Sequence, residues 1–408
     1  MSSISWLAYS EQERARMQAI IDQFRERGVL DELGFGTIRD SFSDLFFPGI
    51  TTIQTRARYL LFVPWIHQRA EREASGYAEA AQRASKYQAQ LAQALVNGGE
   101  GEAQGVIGIQ AGEALKRPAA DVYWTALATY GIWQFPRGLS GYYAVKQQVR
   151  EAGAAVRADD GDVIAESRLR GWDPGLPKAP DIFLRKACFK LTRHEADYLV
   201  RRMTDVPRGE TLLAHCLRSR SRIDRIEFPW LHPDQTDFPA RLRWQLVHAE
   251  LFSLVAEGAV LLYQLLIATK KRASQEEDLR HQLGVWAMRA VAQSTDLQSW
   301  DMPEFWRTVA IKRPRVSDPT RRFVQALIAS VRRDPVGFVD DVGVHREIQA
   351  RERNLKPGRA RLTDQRALDL WDGPSGLGRQ TYRWPNVRRI VGDIQGSLRR
   401  ADRIPDDA

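Results

Sequence analysis

Cysteine, histidine and lysine are all scarce in this chain, and each shortage narrows what it can be. Its 408 residues hold two cysteines, Cys188 and Cys216, and seven histidines. Two thiols cannot build a disulfide framework or, alone, a zinc site. Both are expected as buried thiols in a reducing cytoplasm. Ten of the 60 basic residues are lysine and the rest arginine, whose planar fork suits carboxylates, phosphates and ring faces. The opening stretch MSSISWLAYSEQERAR lacks the apolar run of a signal peptide. A single stretch has membrane-like hydropathy, LFSLVAEGAVLLYQLLIA at 251–268. It is at the lower length limit for a span and Glu257 interrupts it, so a central buried helix is expected and no membrane partner.

Reactive motifs are absent as well. There is no H-E-x-x-H, no G-x-S-x-G and no paired-carboxylate motif. His248 and Glu250 are two residues apart and do not share a helix face. GPSGLGRQT at 373–381 imitates a phosphate loop, but Arg379 stands where lysine belongs and Thr381 comes one position late. The preceding RALDLW reads as helix rather than the strand that motif follows. A glycine-rich turn between helices is expected there. The chain is expected to use no cofactor and no metal, and to carry no catalytic machinery of its own.

What is present is helix signal. Ser10 with Glu13 and Thr192 with Glu195 have capping-box spacing. Helices are expected over 10–27, 37–47 and 71–96, with a long one at 239–270. More follow at about 276–292, 302–311, 318–333, 335–352 and 363–371, and a last one runs from Pro385 to about Arg400. A third helix is expected from Thr51 or Thr52. Residues 118–150 read as helix, turn, helix, which fits either plain packing or a helix-turn-helix or winged-helix-like unit. The fold class is therefore mainly α, in several parts: 1–97, a loop-rich 98–190, and 191–408. Glu250, Glu257 and Gln264 recur every seven residues on the long helix. They are expected as its wet edge, with a metal site or buried network as the alternative.

The charge is uneven. Residues 1–110 hold 11 basic and 13 acidic residues, so the remainder carries more than the whole net charge of +9. A basic body implies an anionic partner. Three stretches stand out as nucleic-acid contacts. RSRSRIDR at 218–225 offers Arg218, Arg220 and Arg222. REIQARERNLKPGRAR at 346–361 offers Arg351, Arg353, Lys356, Arg359 and Arg361. The third surrounds the start of the last helix with Arg383, Trp384, Arg388 and Arg389. Arginines along a surface with a ring for stacking suit a flexible nucleic acid. The alternatives are a solvated surface with internal salt bridges, and Trp384 as a core anchor. The first two stretches are expected to converge on one surface.

Five blocks carry a family resemblance: SISWL, ELGFGTIRDSFSDLFFPGITTIQTRARYLLFVPWI, VYWTALATYGIWQFP, LTRHEADYL and RALDLWDGPSGLGRQTYRWPNVRRIVGDI. Almost end to end they resemble a bacterial family known as a domain of unknown function. The resemblance brings no catalytic residues. It implies genes in phage-defence neighbourhoods, beside helicase and phospholipase-D-like nuclease genes. The expectation is a cytoplasmic, non-catalytic accessory protein of such a system, with nucleic acid and helicase or nuclease proteins as partners. Its rivals are a metal-dependent nuclease with dispersed carboxylates and a protein-binding scaffold. Within the second block, Arg56 and Arg58 precede an apolar run. One of them is expected to pair with Asp40 or Asp44, tying one helix to the next.

Overall fold

The computed structural model describes residues 31–101, 105–108, 118–136, 138–151, 156–157, 163–164, 171–205, 210–219 and 221–401. The helix expected over 10–27 lies outside them. Among the described residues the protein is mainly α, and two short strands, Val156–Arg157 and Val163–Ile164, pair antiparallel. The chain divides into two compact units, each made of two separated stretches. The first is Met1–Phe42 with Gln245–Gln380, the second Ser43–Trp244 with Thr381–Ala408. These cuts differ from three consecutive segments because each unit closes through contacts between distant stretches, which no linker composition marks.

The first unit is built on the long helix Ala240–Lys271, which belongs to it from Gln245 onward. This helix is long and apolar enough to cross a membrane, yet 94% of its most apolar stretch is buried within the protein. Gly258 makes room for Trp286 of the helix Glu276–Ala292: a Cβ there would sit 2.2 Å from the indole ring. The Trp286 Nε1 donates to the Leu254 carbonyl at 2.8 Å. The polar stripe on the long helix is not a wet edge. Gln264 is fully buried, donating to Ser375 O at 2.9 Å and accepting from Trp371 Nε1 at 3.2 Å. Glu257 pairs with Arg289 at 2.9 Å, and Glu250 accepts from Gln293 at 2.9 Å. Neighbouring elements cover the stripe, so its polar groups must find partners inside the protein.

One of those elements is the imitation phosphate loop. Gly373, Gly376 and Gly378 all have positive φ, which lets this segment turn repeatedly. The Ser253 hydroxyl accepts the Gln380 N–H at 2.8 Å. The stretch is a strap fastened along the long helix.

In the second unit, helix Tyr59–Glu73 packs against Tyr77–Leu95 and Ala119–Thr129. It begins at Tyr59 rather than at Thr51 or Thr52. The phenol of Tyr123 intervenes, accepting the Thr55 and Arg56 N–H groups at 2.8 and 2.9 Å and donating to Arg56 O at 2.8 Å. Ala119–Thr129 and Leu139–Glu151 are the expected helix pair, and Trp133 between them bridges to Trp172.

Neither Arg56 nor Arg58 takes the partner expected of it. Arg56 forks onto Asp393 of the last helix, Trp384–Ala401, with bonds of 2.9–3.2 Å, and its guanidinium lies 4.3 Å above the Phe189 ring. Arg58 is 6% exposed and donates to Glu195 Oε1 at 2.7 Å and to Cys188 O at 2.9 Å. Asp44 instead accepts from Arg383 at 2.7 Å. Glu195 has a second task. Its Oε2 accepts the Thr192 N–H while Thr192 Oγ1 accepts the Glu195 N–H, the capping box that opens helix Arg193–Thr204.

Removing one partner of a buried ion pair strands the other charge in a medium that cannot solvate it. Glu195→Ala is therefore expected to cost about 3–5 kcal/mol in urea unfolding followed by circular dichroism. Asp197→Ala, which removes the exposed Arg193–Asp197 pair, should cost under about 1 kcal/mol.

Candidate nucleic-acid interface

Two of the three basic stretches meet within the second unit. Helix Leu212–Arg218, capped by Thr211, leads into the segment 219–225. Asp234 clamps the start of that segment, accepting from the Ser219 and Ser221 hydroxyls at 2.5 and 2.7 Å. Those two hydrogen bonds hold the Asp234 carboxyl below its usual pKa. The last helix secures the same segment from another direction. Gln395 donates to Cys216 O at 2.7 Å and to Ser219 O at 2.9 Å. Arg399 donates to Ser221 O at 3.3 Å, and Arg388 to Asp224 O at 3.0 Å.

The junction leaves a cavity of about 350 Å³ lined by Arg222, Ile223, Asp224, Gly392, Gln395, Gly396, Arg399 and Arg400. Gly392 and Gly396 are four residues apart and share one helix face. A Cβ on Gly392 would meet nothing within 4 Å, so the face is open. Arg222, Arg389 and Arg400 are exposed, although Arg222 pairs with neighbouring Asp224 at 2.9 Å. Arg218 is exposed too, and borders a second cavity of about 470 Å³ with Arg201, Arg202 and Asp173. There Arg202 is committed to the Tyr130 and Gly131 carbonyls at 3.0 and 2.7 Å, while Arg201 is exposed. Arg220 lies outside the described residues.

Other expected contact residues are consumed by the fold. Trp384 is 0% exposed, its ring 5.7 Å from that of Phe47 and its Nε1 donating to Ile226 O at 2.8 Å. It offers no ring face to a base and belongs to the core with Val387, Ile390 and Val391. Arg383 is bound to Asp44 and to Ile50 O at 2.7 and 2.8 Å. In the first unit, Arg351 is buried and donates to Leu33 O at 2.9 Å and Thr320 Oγ1 at 2.9 Å. Lys356 and Arg361 both pair with buried Glu32. Of that stretch Arg346, Arg353 and Arg359 stay exposed. The stretches 218–225 and 346–361 belong to different units. Gly392, Gly396 and Arg201 were missed by sequence reasoning. The glycine pair four apart, ending in Arg399-Arg400, was the available signal.

A further cavity of about 670 Å³ opens beside Glu71, Arg72, Tyr77, Lys146 and Trp172. Burial raises the Glu71 pKa against the pull of Lys146, which it contacts at 3.1 Å. Burial opposes the charge of Lys146, but the Tyr142 and Glu71 oxygens outweigh it and raise its pKa. Among the described residues no group of three or more His, Cys, Asp or Glu is placed to hold a metal ion.

Residues 1–397 match a family described as a family of unknown function, DUF6361. The chain belongs to that family. The match spans nearly the whole chain, as the resemblance of the five blocks implied. No curated protein and no solved structure matches it. Membership in DUF6361 fixes the chain as one evolutionary unit and assigns no residue a task.

Asp234 gives this site a pH signature. Its folded-state pKa lies below the unfolded value of about 3.9, so its contribution is complete above that pH and is lost as pH falls through the folded value. Asp234→Ala should cost about 1–2 kcal/mol at pH 7. In urea unfolding the gap between variant and parent should narrow below about pH 4.

Proposed function

We propose that this chain is a non-catalytic accessory protein that holds nucleic acid by its phosphate backbone. The contact face is formed in the second unit by 218–225 and the last helix. The observation that carries this reading is the arginine-edged groove over Gly392 and Gly396. Phosphates need close approach and fixed cations, and the glycine face with Arg222, Arg399 and Arg400 supplies both. With Trp384 and Tyr382 buried, this face has neither ring to stack on a base, so binding is to the backbone and indifferent to sequence. A place in a phage-defence system, beside helicase or nuclease proteins, rests on the resemblance alone.

The rival is an enzyme, and its specific support is Glu71, a carboxyl with a raised pKa beside Lys146 in the larger cavity.

The test is fluorescence anisotropy with single- and double-stranded DNA and RNA of about twenty nucleotides, titrated with salt. Arg389→Ala with Arg400→Ala should fold normally and weaken binding to every sequence alike. The salt slope should flatten by up to about two units. A folded double variant with unchanged affinity and slope would remove this face from the site. Magnesium-dependent cleavage that disappears in Glu71→Gln would favour the enzyme.

A further inference from the structure

The second unit holds another cavity, of about 270 Å³, unconnected with the arginine groove by any shared residue. We infer that it is a binding site for a small aromatic monoanion, such as a one- or two-ring carboxylate. Three features of the wall carry this. Phe62, Trp65 and Phe183 form an aromatic side, with ring centres 5.2–5.9 Å apart and each ring at most 3% exposed. Such a surface favours a flat apolar body. Arg58 lines the same cavity, and its Nε is buried without a hydrogen-bond acceptor although its terminal nitrogens are engaged. A buried donor left unmade is costly in free energy. It has almost no accessible surface of its own, so a ligand oxygen in the cavity would satisfy it through a small shift of the Arg58 side chain. At the rim, Lys186 is exposed and Ile182 is 50% exposed. The lysine supplies the charge that an anion needs, and the isoleucine extends the apolar wall outward. The volume lies just below the range of about 300–1,000 Å³ typical of drug-sized ligands, which suits a small ligand of one or two rings.

Cys188 reports on occupancy. It lines the cavity with its Sγ 3.4 Å from Arg58 Nη1, and it is partly exposed, whereas Cys216 is 0% exposed. Iodoacetamide should therefore alkylate Cys188 in the native protein and spare Cys216. The probe is 2-naphthoate, with neutral 2-naphthalenemethanol as its comparator. At about ten times its dissociation constant, 2-naphthoate should slow Cys188 alkylation about tenfold, because only about a tenth of the sites remain free. Lys186→Ala should weaken naphthoate about threefold, the effect of one exposed ion pair. Ile182→Trp, a change at an exposed position that narrows the rim, should lower the alkylation rate without ligand and abolish any further slowing by naphthoate. Parent alkylation unaffected by millimolar naphthoate, a naphthoate-dependent slowing as large in Ile182→Trp as in the parent, or equal protection by the neutral alcohol would each overturn the proposal.

Discussion

The second unit depends on burying a guanidinium that cannot give up its charge. Arg58 sits at 6% exposure beneath an aromatic run, where an isolated cation would be intolerable. Glu195 makes the position possible by accepting its hydrogen bond, and the same carboxylate closes the capping box of Arg193–Thr204. One side chain thus fixes both the entry to one helix and the start of another. Arg56, two residues earlier, repeats the device with Asp393, whose Oδ2 also accepts the Ala57 N–H at 3.0 Å. The last helix packs on Arg193–Thr204 and on Leu212–Arg218. The groove over Gly392 and Gly396 is therefore presented by a helix held from several sides at once.

Arginine has two distinct employments here. Arg56, Arg58, Arg351, Arg361 and Arg383 are spent inside the protein, on carboxylates and carbonyls. Arg218, Arg222, Arg389 and Arg400 remain at the surface of the second unit. Both groups look identical in a charge count. The second unit also exposes Arg72, Arg185, Arg193, Arg241 and Arg243, so the backbone-binding reading rests on the four that lie around one helix face and one clamped segment and not on overall charge.

Local features were legible in the sequence, and pairings were not. The helices Glu276–Ala292 and Asp318–Arg333 have the bounds that periodicity and capping predict, and the capping box at Thr192 and Glu195 forms as its spacing requires. The long helix was recognisable as a buried one, but its polar stripe was misread because periodicity within one helix does not show that the next helix and the strap at 373–380 fold over it. The same limit applies to Arg56 and Asp393, which are 337 residues apart, and to Lys356 with Glu32, 324 apart. A neighbouring acid such as Asp44 was the natural guess, and Asp44 is instead engaged by Arg383. Trp384 sits at the mouth of a basic helix in sequence and in the core in space, because the residues before it reverse the chain: Tyr382 and Arg383 both have positive φ.

The most direct measurement is hydrogen–deuterium exchange of the full chain with and without saturating nucleic acid. A backbone-binding face on the second unit predicts slowed exchange in peptides covering 218–225 and 388–401. Peptides covering 346–361 should be unchanged. Protection confined to 346–361, or no protection at 218–225 and 388–401 under conditions where binding is saturated, would contradict it.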